Sequence, residues 1–388
     1  MPVVVQKFGG SSVADVEKIR KVAERVAATR RAGTDVCVVV SAMGDTTDEL
    51  LALAKKVCGA PPRRELDMLL SAGERISMAL LSMALDDLGV PAISFTGSQS
   101  GIITTDSHAA ARIVEVRPIR VYEALGQGKV VIVAGYQGVS TRKEVTTLGR
   151  GGSDTTAVAL AAALGADCEI YSDVAGVFTA DPRVVPDARR LDALSYEEMQ
   201  ELAMAGAKVL NAQAVEFAKE KGIAVHARST FGGPEETVVR GGAHPERIAG
   251  VATQRELALL TFEAGRLAAV LEVLDAHGAA AMEIASPGGG QAGLALALEN
   301  VHDWPVLRAR LAAAAPGLAA EDEGVGSLSV VGTGLSASHR VLREVAGAVE
   351  ALGAPPRAVF TSALRVTVFC DARVLKDAAR AVHARLLG

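Results

Sequence analysis

The feature that most constrains this chain of 388 residues is its first stretch, VVVQKFGGSS at residues 3–12. The β-branched valines favour a buried strand, and the two glycines allow a sharp turn. Apolar residues then recur at helical spacing from Val13 onward, so Ser11 or Ser12 is expected to cap a helix. Such a turn suits an anion, and Lys7 adds a positive charge. The stretch predicts either a phosphate site or an ordinary strand–turn–helix unit with a surface lysine.

The composition is that of an ordinary globular protein. Apolar residues make up 49% and charged residues 22%, and 40 basic against 45 acidic residues give a net charge of −5. Aromatic residues are only 3%, which argues against nucleic-acid binding through base stacking. The scattered cysteines and histidines favour reduced thiols and no protein metal site. With neither a leader nor a bilayer-length apolar window, we expect a cytoplasmic protein without membrane contact.

Strand-like and helix-like blocks alternate through about the first 230 residues, which predicts a mostly parallel α/β sheet covered on both faces. The predicted strands are 3–6, 36–40, 92–95, 129–134, 169–172 and 223–226, and the predicted helices are 13–31, 47–57, 64–88, 118–126, 154–164 and 195–221. Ligands of such sheets bind at the carboxyl ends of the strands. Polar or glycine-rich segments follow four of the predicted strands, at 9–11, 41–45, 135–138 and 172–173.

The sequence pattern changes near residue 231, where glycine- and proline-rich segments predict a linker over 231–246. Two blocks of similar βαββαβ-like order follow, so two small α+β modules are predicted at 247–320 and 321–388. Their predicted strands include 257–262, 292–299, 326–332, 358–361 and 364–369, and their predicted helices are 266–277, 304–315, 338–352 and 372–387.

A second glycine-rich turn precedes the fifth predicted helix. Ser153, Asp154 and the two threonines that follow them, Thr155 and Thr156, are candidates to cap that helix. Arg150 stands beside Gly151 and Gly152, and a guanidinium can bind a carboxylate at two points. The turn therefore predicts an anion site, with a simple capped helix after a hairpin as the alternative.

A third segment follows the fifth predicted strand. Ser172 and Asp173 end the strand, and the loop beyond it carries Phe178, Asp181 and Arg183. Such a loop can hold an adenosine, with an apolar face for the base, polar groups for the ribose and Arg183 near the phosphates. The alternative is an ordinary surface loop, in which an Asp-Pro pair is common.

Two charged residues within predicted helices each allow two interpretations. Glu74 lies among apolar positions of the helix predicted at 64–88, and Lys208 lies within the helix predicted at 195–221. Each side chain either extends to solvent or pairs with a neighbour, or it serves a site.

Taken together, these segments resemble aspartokinases. The resemblance covers residues 2–230 and rests on KFGGSS (7–12), SAMGDTT (41–47), GER (73–75), FTG (95–97), GRGGSDTT (149–156) and YSD with TADPR (171–183). It implies an amino-acid kinase fold over 1–230, a three-layer α/β structure with a mostly parallel sheet, followed by tandem ACT-like modules. It also implies phosphoryl transfer from ATP to the side-chain carboxylate of L-aspartate, with Mg²⁺ held mainly through the ATP phosphates. A homodimer through the ACT-like modules is implied as well.

The same resemblance implies a role for each matching residue. The implied catalytic residues are Lys7, Asp154 and Lys208, with Asp154 orienting the lysines. The implied nucleotide site consists of Lys7, Gly9, Gly10, Ser172, Asp173, Phe178, Asp181, Arg183, Lys208 and Val209. The implied aspartate site consists of Ser41, Thr47, Glu74, Arg150, Gly151, Gly152 and Ser153. Within it, Glu74 would bind the α-ammonium group and Arg150 a carboxylate.

The C-terminal modules depart from the family pattern. The first module has a shortened turn at 263–265 and the strand AAAMEI at 279–284, where the family has an Asn-Ile-Asp-Met-type strand that helps to form an effector pocket. The second module has two prolines at 355–356 in place of an expected Asn-Ile pair. We therefore expect inhibition by lysine or threonine to be lost or altered. The alternative functions are a catalytically silent amino-acid sensor and a kinase for another carboxylate acceptor.

Overall fold

The computed structural model describes residues 2–149, 151–242, 247–301 and 303–388. The chain forms two compact units. The first comprises residues 2–177, 190–200 and 208–242, and the second comprises Phe178–Arg189, Glu201–Ala207 and residues 247–388. Two short segments that lie between stretches of the first unit along the chain therefore belong to the second unit. The domain boundaries expected from the sequence stay a prediction.

The first unit alternates strands and helices along the chain. Its strands are β1 (Val3–Phe8), β2 (Asp35–Val40), β3 (Ala92–Phe95), β4 (Ile102–Thr104), β5 (Ile113–Val116), β6 (Val130–Ala134), β7 (Gln137–Ser140), β8 (Val145–Thr147), β9 (Asp167–Ser172), β10 (Ala193–Leu194), β11 (Val225–Ser229) and β12 (Glu236–Val239). Its helices are α1 (Val16–Arg31), α2 (Thr46–Val57), α3 (Arg63–Asp87), α4 (Ile119–Gly126), α5 (Gly152–Leu164) and α7 (Ala212–Lys221), and α6 (Tyr196–Met204) begins in it.

An eight-stranded sheet organises this unit, in the order β10-β12-β11-β9-β1-β2-β6-β3. Neighbouring strands run parallel except for the pair β11 and β12. All residues of β2 and β6 are buried, as expected for central strands with both faces covered. The mostly parallel α/β sheet predicted from the sequence is confirmed.

Helices cover the two faces of this sheet. On one face, Val36, Val38 and Val40 pack against apolar side chains of α1 and α3. Because strand side chains alternate, Cys37 and Val39 point to the opposite face. There α5 packs against β1, β2 and β9. Each fully buried valine contributes roughly 1.5–3 kcal/mol relative to exposure, so these alternating valines fix the register of the central strands.

The strand register brings the carboxyl ends together. Phe8 at the end of β1 lies opposite Val40 of β2 and Tyr171 of β9, and Val40 lies opposite Ala134 of β6. The polar and glycine-rich segments that follow these strands therefore share one edge of the sheet, as predicted.

Part of the first unit differs from the sequence prediction. A second sheet, β5-β4-β7-β8, was not predicted beyond a hairpin, because its strands are only three or four residues long. The single helix predicted at 195–221 is wrong, since α6 and α7 are separate. Gly206 has φ +108, and Asn211 caps α7 by accepting from the N–H groups of Gln213 and Ala214.

The second unit contains two small sheets. Its strands are β13 (Ile248–Gln254), β14 (Leu257–Glu263), β15 (Ala281–Gly288), β16 (Gln291–Ala297), β17 (Ala319–Glu321), β18 (Val325–Gly332), β19 (Ala358–Thr361) and β20 (Arg365–Asp371). Its helices are α8 (Leu267–His277), α9 (Trp304–Ala314), α10 (Arg340–Glu350) and α11 (Leu375–Leu387). The sheet orders are β15-β16-β14-β17 and β13-β18-β20-β19.

The two sheets repeat a βαββα pattern, which agrees with the predicted tandem α+β modules. Strand β13 pairs with β18 rather than with the adjacent β14, so the first small sheet is formed by a stretch of chain between two strands of the second sheet. Within the predicted linker, Glu236–Val239 forms β12 and pairs with β10 and β11. A short strand between two glycine-rich segments gave no clear pattern in the sequence.

Candidate active site

The positive charge at the end of β1 is held by a buried ion pair. Lys7 Nζ lies 2.6 Å from Asp154 Oδ1, and the two side chains are only 12% and 11% exposed. The other carboxylate oxygen of Asp154 accepts from the Asn211 N–H at 3.2 Å. Asp154 lies in the first turn of α5, so three elements fix the lysine ammonium group at the edge of the sheet.

The two glycines after β1 form a tightly packed turn. The Gly9 N–H donates to the Tyr171 carbonyl at 3.2 Å, and a Cβ at Gly9 would lie 3.5 Å from Lys7 Nζ. A Cβ at Gly10 would lie 2.9 Å from the Ala42 carbonyl oxygen, and the Gly44 N–H donates to the Gly10 carbonyl. The turn after β1 therefore stacks closely on the turn after β2 and leaves no room for a side chain at Gly10.

The predicted cap of the first helix is wrong. A short 3₁₀ turn follows Gly9, and α1 begins only at Val16, with Asp15 accepting from the Lys18 N–H at 2.8 Å. Ser12 is buried and its hydroxyl lies 2.6 Å from that of Thr230. Asp15 directly precedes α1 and can accept from its free N–H groups, whereas Ser11 and Ser12 lie within the 3₁₀ turn.

Glu74 is a buried acid at the same edge of the sheet. It is 3% exposed, and its Oε1 accepts from the Ala42 N–H at 3.1 Å. Among the residues that the structure describes, its Oε2 is buried with no hydrogen-bond partner. Burial raises the pKa of Glu74 to about 7. The interpretation that this glutamate extends to solvent is therefore wrong.

Ser41 and Thr47 flank the turn above Glu74. Ser41 follows β2 directly, and its carbonyl accepts from the Ser77 hydroxyl of α3 at 2.7 Å. Thr47 is the second residue of α2, and both residues are half-buried. The segment 41–47 thus connects the end of β2 to α2, and its Ala42 N–H contacts Glu74 of α3.

The second glycine-rich turn opens α5. Gly149 and Gly151 have φ of +78 and +76, and a Cβ at Gly151 would lie 2.2 Å from Asn211 Nδ2. The helix begins at Gly152, and no side chain caps it. The capping role predicted for Ser153, Asp154 and the two threonines after them is therefore wrong, because all four lie inside the helix.

Ser153 and Arg150 are two further residues predicted for the aspartate site. A Cβ at Gly135 would lie 2.7 Å from Ser153 Oγ, which places Ser153 against the turn that follows β6. Arg150 lies outside the described residues.

The residues predicted for the nucleotide are divided between the two units. In the first unit Ser172 ends β9 and Asp173 follows it. The Ser172 carbonyl accepts from the Thr230 N–H at 2.8 Å, and Asp173 is exposed. Exposed Lys208 and half-buried Val209 lie between α6 and α7 in the same unit.

The other three predicted nucleotide residues belong to the second unit. Phe178 is half-buried, whereas Asp181 and Arg183 are exposed. The Arg183 guanidinium binds the Asp181 carboxylate at two points, both at 3.0 Å, and this holds the pKa of Asp181 below its usual value. Arg183 therefore has an acidic neighbour in its own loop.

Sequence reasoning missed three polar groups around this edge. Asn211 contacts both the ion pair and the Gly151 turn, and only its position before an apolar helix gave a signal. Thr230 follows a strand without any motif. Asp67, fully buried on α3, binds the His108 ring at 2.6 Å and the Thr147 hydroxyl at 2.5 Å. It lies seven residues before Glu74, hence on the same helix face.

The geometry provides a largely buried cation beside the glycine turn after β1 and a buried acid on α3 that accepts from the turn after the neighbouring strand β2. The sequence profile of the amino acid kinase family matches residues 2–229. The aspartokinase of Mycobacterium tuberculosis (strain ATCC 25618 / H37Rv) is 46% identical over 410 residues, covering 99% of this chain and 96% of the relative. The chain belongs to the aspartokinases.

Solved structures of this family have the same fold. Escherichia coli aspartokinase III in complex with aspartate and ADP, in the R-state, covers 100% of both chains with a TM-score of 0.88 and 26% identity. The same protein in complex with lysine and aspartate, in the T-state, also covers 100% of both chains, with a TM-score of 0.76 and 26% identity.

Among the described residues, one helix is long and apolar enough to span a membrane. By length and composition alone, α3 could cross a bilayer, although 44% of its most apolar window is buried inside the protein. Because α3 also carries the buried acids Asp67 and Glu74, it has the character of a core helix. Within the described ranges, no group of three or more His, Cys, Asp or Glu side chains is placed to hold a metal ion.

Proposed function

We propose that this protein transfers the terminal phosphoryl group of MgATP to the side-chain carboxylate of L-aspartate, giving 4-phospho-L-aspartate and ADP. The observation that supports this best is that two groups lie at the same edge of the sheet. They are the Lys7–Asp154 ion pair at the end of β1 and the buried Glu74, which binds the turn after the neighbouring strand β2. The first group suits a transferring phosphoryl group, and the second suits an amino acid's ammonium group.

The chemistry requires no general base. A side-chain carboxylate with an ordinary pKa of about 4 is already ionised at neutral pH, so it can attack phosphorus directly. The difficulty is to bring two anions together in line and to stabilise the charge on the transferring group. Fixed positive charge and backbone N–H groups supply that stabilisation without a histidine or serine nucleophile.

On the phosphate side, Lys7 neutralises charge on the transferring group, and Gly9 and Gly10 let the backbone approach the phosphates. Asp154 holds the Lys7 ammonium group in position at 2.6 Å and orients it. Lys208 adds a second positive charge from the segment before α7. The magnesium ion arrives with ATP and is held mainly through the phosphates.

On the acceptor side, Glu74 binds the α-ammonium group of aspartate. Its Oε2, which has no hydrogen-bond partner among the described residues, is the acceptor, and an approaching cation favours the ionised form of a carboxyl whose pKa is about 7. Arg150 binds a carboxylate of the substrate. Ser41, Thr47 and Gly151–Ser153 surround it.

The nucleoside part of ATP is bound by Ser172, Asp173, Phe178, Asp181, Arg183, Lys208 and Val209. Phe178 offers an apolar surface for the base, and the polar groups bind the ribose and phosphates. Arg183 is paired with Asp181 in an exposed loop, whereas Lys7, although paired with Asp154, lies beside the Gly9–Gly10 turn. We therefore assign to Arg183 a smaller share of phosphate binding than to Lys7.

The C-terminal modules carry two further proposals. The turn after β14 is a short 3₁₀ segment, Ala264–Arg266, and the strand after α8 lacks the polar residues of the family pattern. We propose that inhibition by lysine or threonine is lost or altered, and that the modules serve to form a homodimer. A cytoplasmic enzyme without nucleic-acid or membrane partners fits these proposals.

The test measures ADP release from MgATP with L-aspartate, L-glutamate or N-acetylglutamate as the acceptor, with and without millimolar lysine and threonine. We expect turnover with L-aspartate that neither effector changes. Turnover with another acceptor would favour a kinase of different specificity, and no turnover in a folded protein that binds an amino acid would favour the silent sensor. Suppression by either effector would contradict only the regulatory proposal.

A further inference from the structure

The loop Phe178–Arg189 is built into the core of the second unit. Its Ala180 and Val185 are 6% and 4% exposed and belong to the same apolar cluster as Val330, Val345 and Val382. These three side chains come from β18, α10 and α11. The loop that carries the proposed nucleotide residues Phe178, Asp181 and Arg183 is therefore held by the C-terminal module and is not an independent surface loop.

Thr179 is the polar anchor of this loop. It is 4% exposed, its N–H donates to the Arg189 carbonyl at 2.8 Å, and its own carbonyl accepts from the Val251 N–H at 2.7 Å. Its hydroxyl oxygen accepts from the Arg189 N–H at 2.9 Å. The loop is thus closed on itself and joined to β13 at the residue next to Phe178.

The remaining partner of Thr179 comes from the last helix. His383 of α11 is 3% exposed, and its Nε2 lies 2.9 Å from Thr179 Oγ1. Because that oxygen already accepts from Arg189, the hydroxyl proton is available to a neutral imidazole. Burial and, after it, the Arg189 charge lower the pKa of His383, which favours the neutral ring.

Two backbone contacts support the same junction. Arg189 Nη2 donates to the Leu387 carbonyl at 2.5 Å, and Arg380 Nε donates to the Val184 carbonyl at 2.7 Å. Helix α11 therefore makes hydrogen bonds to the loop near its start, at its middle and at its end.

We propose that His383 is a positioning residue for nucleotide binding, acting through Thr179 to fix the loop that carries Phe178 and Asp181. This inference rests on the proposed function, because it takes the loop as part of the ATP site. If His383 had only a structural role, its replacement would change the stability of the protein and would not change the KM for ATP relative to the KM for aspartate.

The test compares matched pairs of variants by steady-state kinetics in the full chain. His383→Leu and Thr179→Val remove the hydrogen bond, whereas His383→Gln and Thr179→Ser can keep it. We expect the first pair to raise the KM for ATP by about five- to tenfold, as for one lost hydrogen bond. The KM for aspartate should change by less than about twofold, and the conservative variants should retain the wild-type KM for ATP.

A control and a binding measurement complete the test. His339→Leu makes the same chemical change at an exposed position of the second unit and should leave both KM values unchanged. Equilibrium titration with ADP should show the same loss of affinity in His383→Leu. Because this binding measurement needs no acceptor, it tests the role of His383 even if aspartate is not the substrate. An unchanged ADP affinity in folded His383→Leu, or equal rises in both KM values, would overturn the proposal.

Discussion

Two glutamates, buried Glu74 in the first unit and largely buried Glu283 in the second, have similarly raised pKa values and different partners. Burial raises the pKa of Glu74 and of Glu283 to about 7. Glu283 is bound by the Arg365 guanidinium, whose Nε also lies 2.7 Å from Glu201. Glu74 accepts one backbone N–H and, within the described part of the chain, has an oxygen with no hydrogen-bond partner.

The difference separates a structural charge from one available to a ligand. Arg365 is 3% exposed and supplies the cation that a buried acid requires. At Glu74, in this account, the substrate's ammonium group supplies it. Replacing Glu74 should therefore affect substrate binding more than stability, and replacing the Arg365 cluster should do the reverse.

The largest expected effect concerns Lys7 of the first unit, to which we assign the phosphates of ATP. Lys7→Ala should lower kcat by about a thousandfold or more, because it removes the positive charge that neutralises the transferring group in the proposed mechanism. The measurement is ADP release at saturating MgATP and aspartate. Lys21→Ala, at an exposed helix position, is the matched control and should keep wild-type turnover. A near-normal kcat in Lys7→Ala would refute the assigned active site.

The next effect tests the structural half of the comparison. Arg365→Leu leaves Glu201 and Glu283 buried without their cation, which should lower the free energy of unfolding by about 3–5 kcal/mol. Urea denaturation measures the loss. Arg373→Leu, which removes an exposed arginine paired with Asp371, should leave the free energy of unfolding nearly unchanged, because solvent screens that pair. Equal losses in the two variants would mean that the buried cluster has no special role.

Glu74→Gln tests the other half. The neutral amide keeps the shape but not the charge, so the KM for aspartate should rise by about 30-fold while the unfolding free energy does not fall. The companion variant Glu283→Gln should leave the KM for aspartate unchanged. If both variants moved the KM equally, the distinction between the two glutamates would be lost.

The smallest effect is the pH dependence of stability. The folded-state pKa of Glu74 lies above its unfolded value of about 4.5, so its contribution to stability is complete below pH 4.5 and is lost as pH rises through about 7. The free energy of unfolding of Glu74→Gln minus that of the wild type should therefore be larger at pH 8 than at pH 5. Parallel curves of unfolding free energy against pH would contradict a raised pKa.

The sequence predicted those parts of the molecule that depend on regular patterns. Valine runs such as 36–40 predicted the central strands, and glycines after strands predicted the turns that share the carboxyl edge of the sheet. The break between α6 and α7 was missed, because Gly206 inside an apolar pattern costs a helix only about 1 kcal/mol and does not by itself exclude one. The strand β12 was missed because it gains its stability from pairing rather than from composition.

Side-chain partners were harder to predict. Asp154 gave the same local signal as a helix cap, and only the fold brings it within 2.6 Å of Lys7. Membership of the loop 178–189 in the core of the second unit depends on Ala180 and Val185, which are unremarkable in a sequence. Such contacts link residues about 150 to 200 positions apart, and no local spacing encodes them.

The most direct test of the account compares L-aspartate with succinate, which lacks only the α-ammonium group, as acceptors for the wild type and Glu74→Gln. We predict ADP release with L-aspartate and a wild-type preference for it over succinate, in kcat/KM, of about a hundredfold or more. In Glu74→Gln that preference should fall at least tenfold. An unchanged preference, or no aspartate-dependent ADP release by the wild type, would contradict the account.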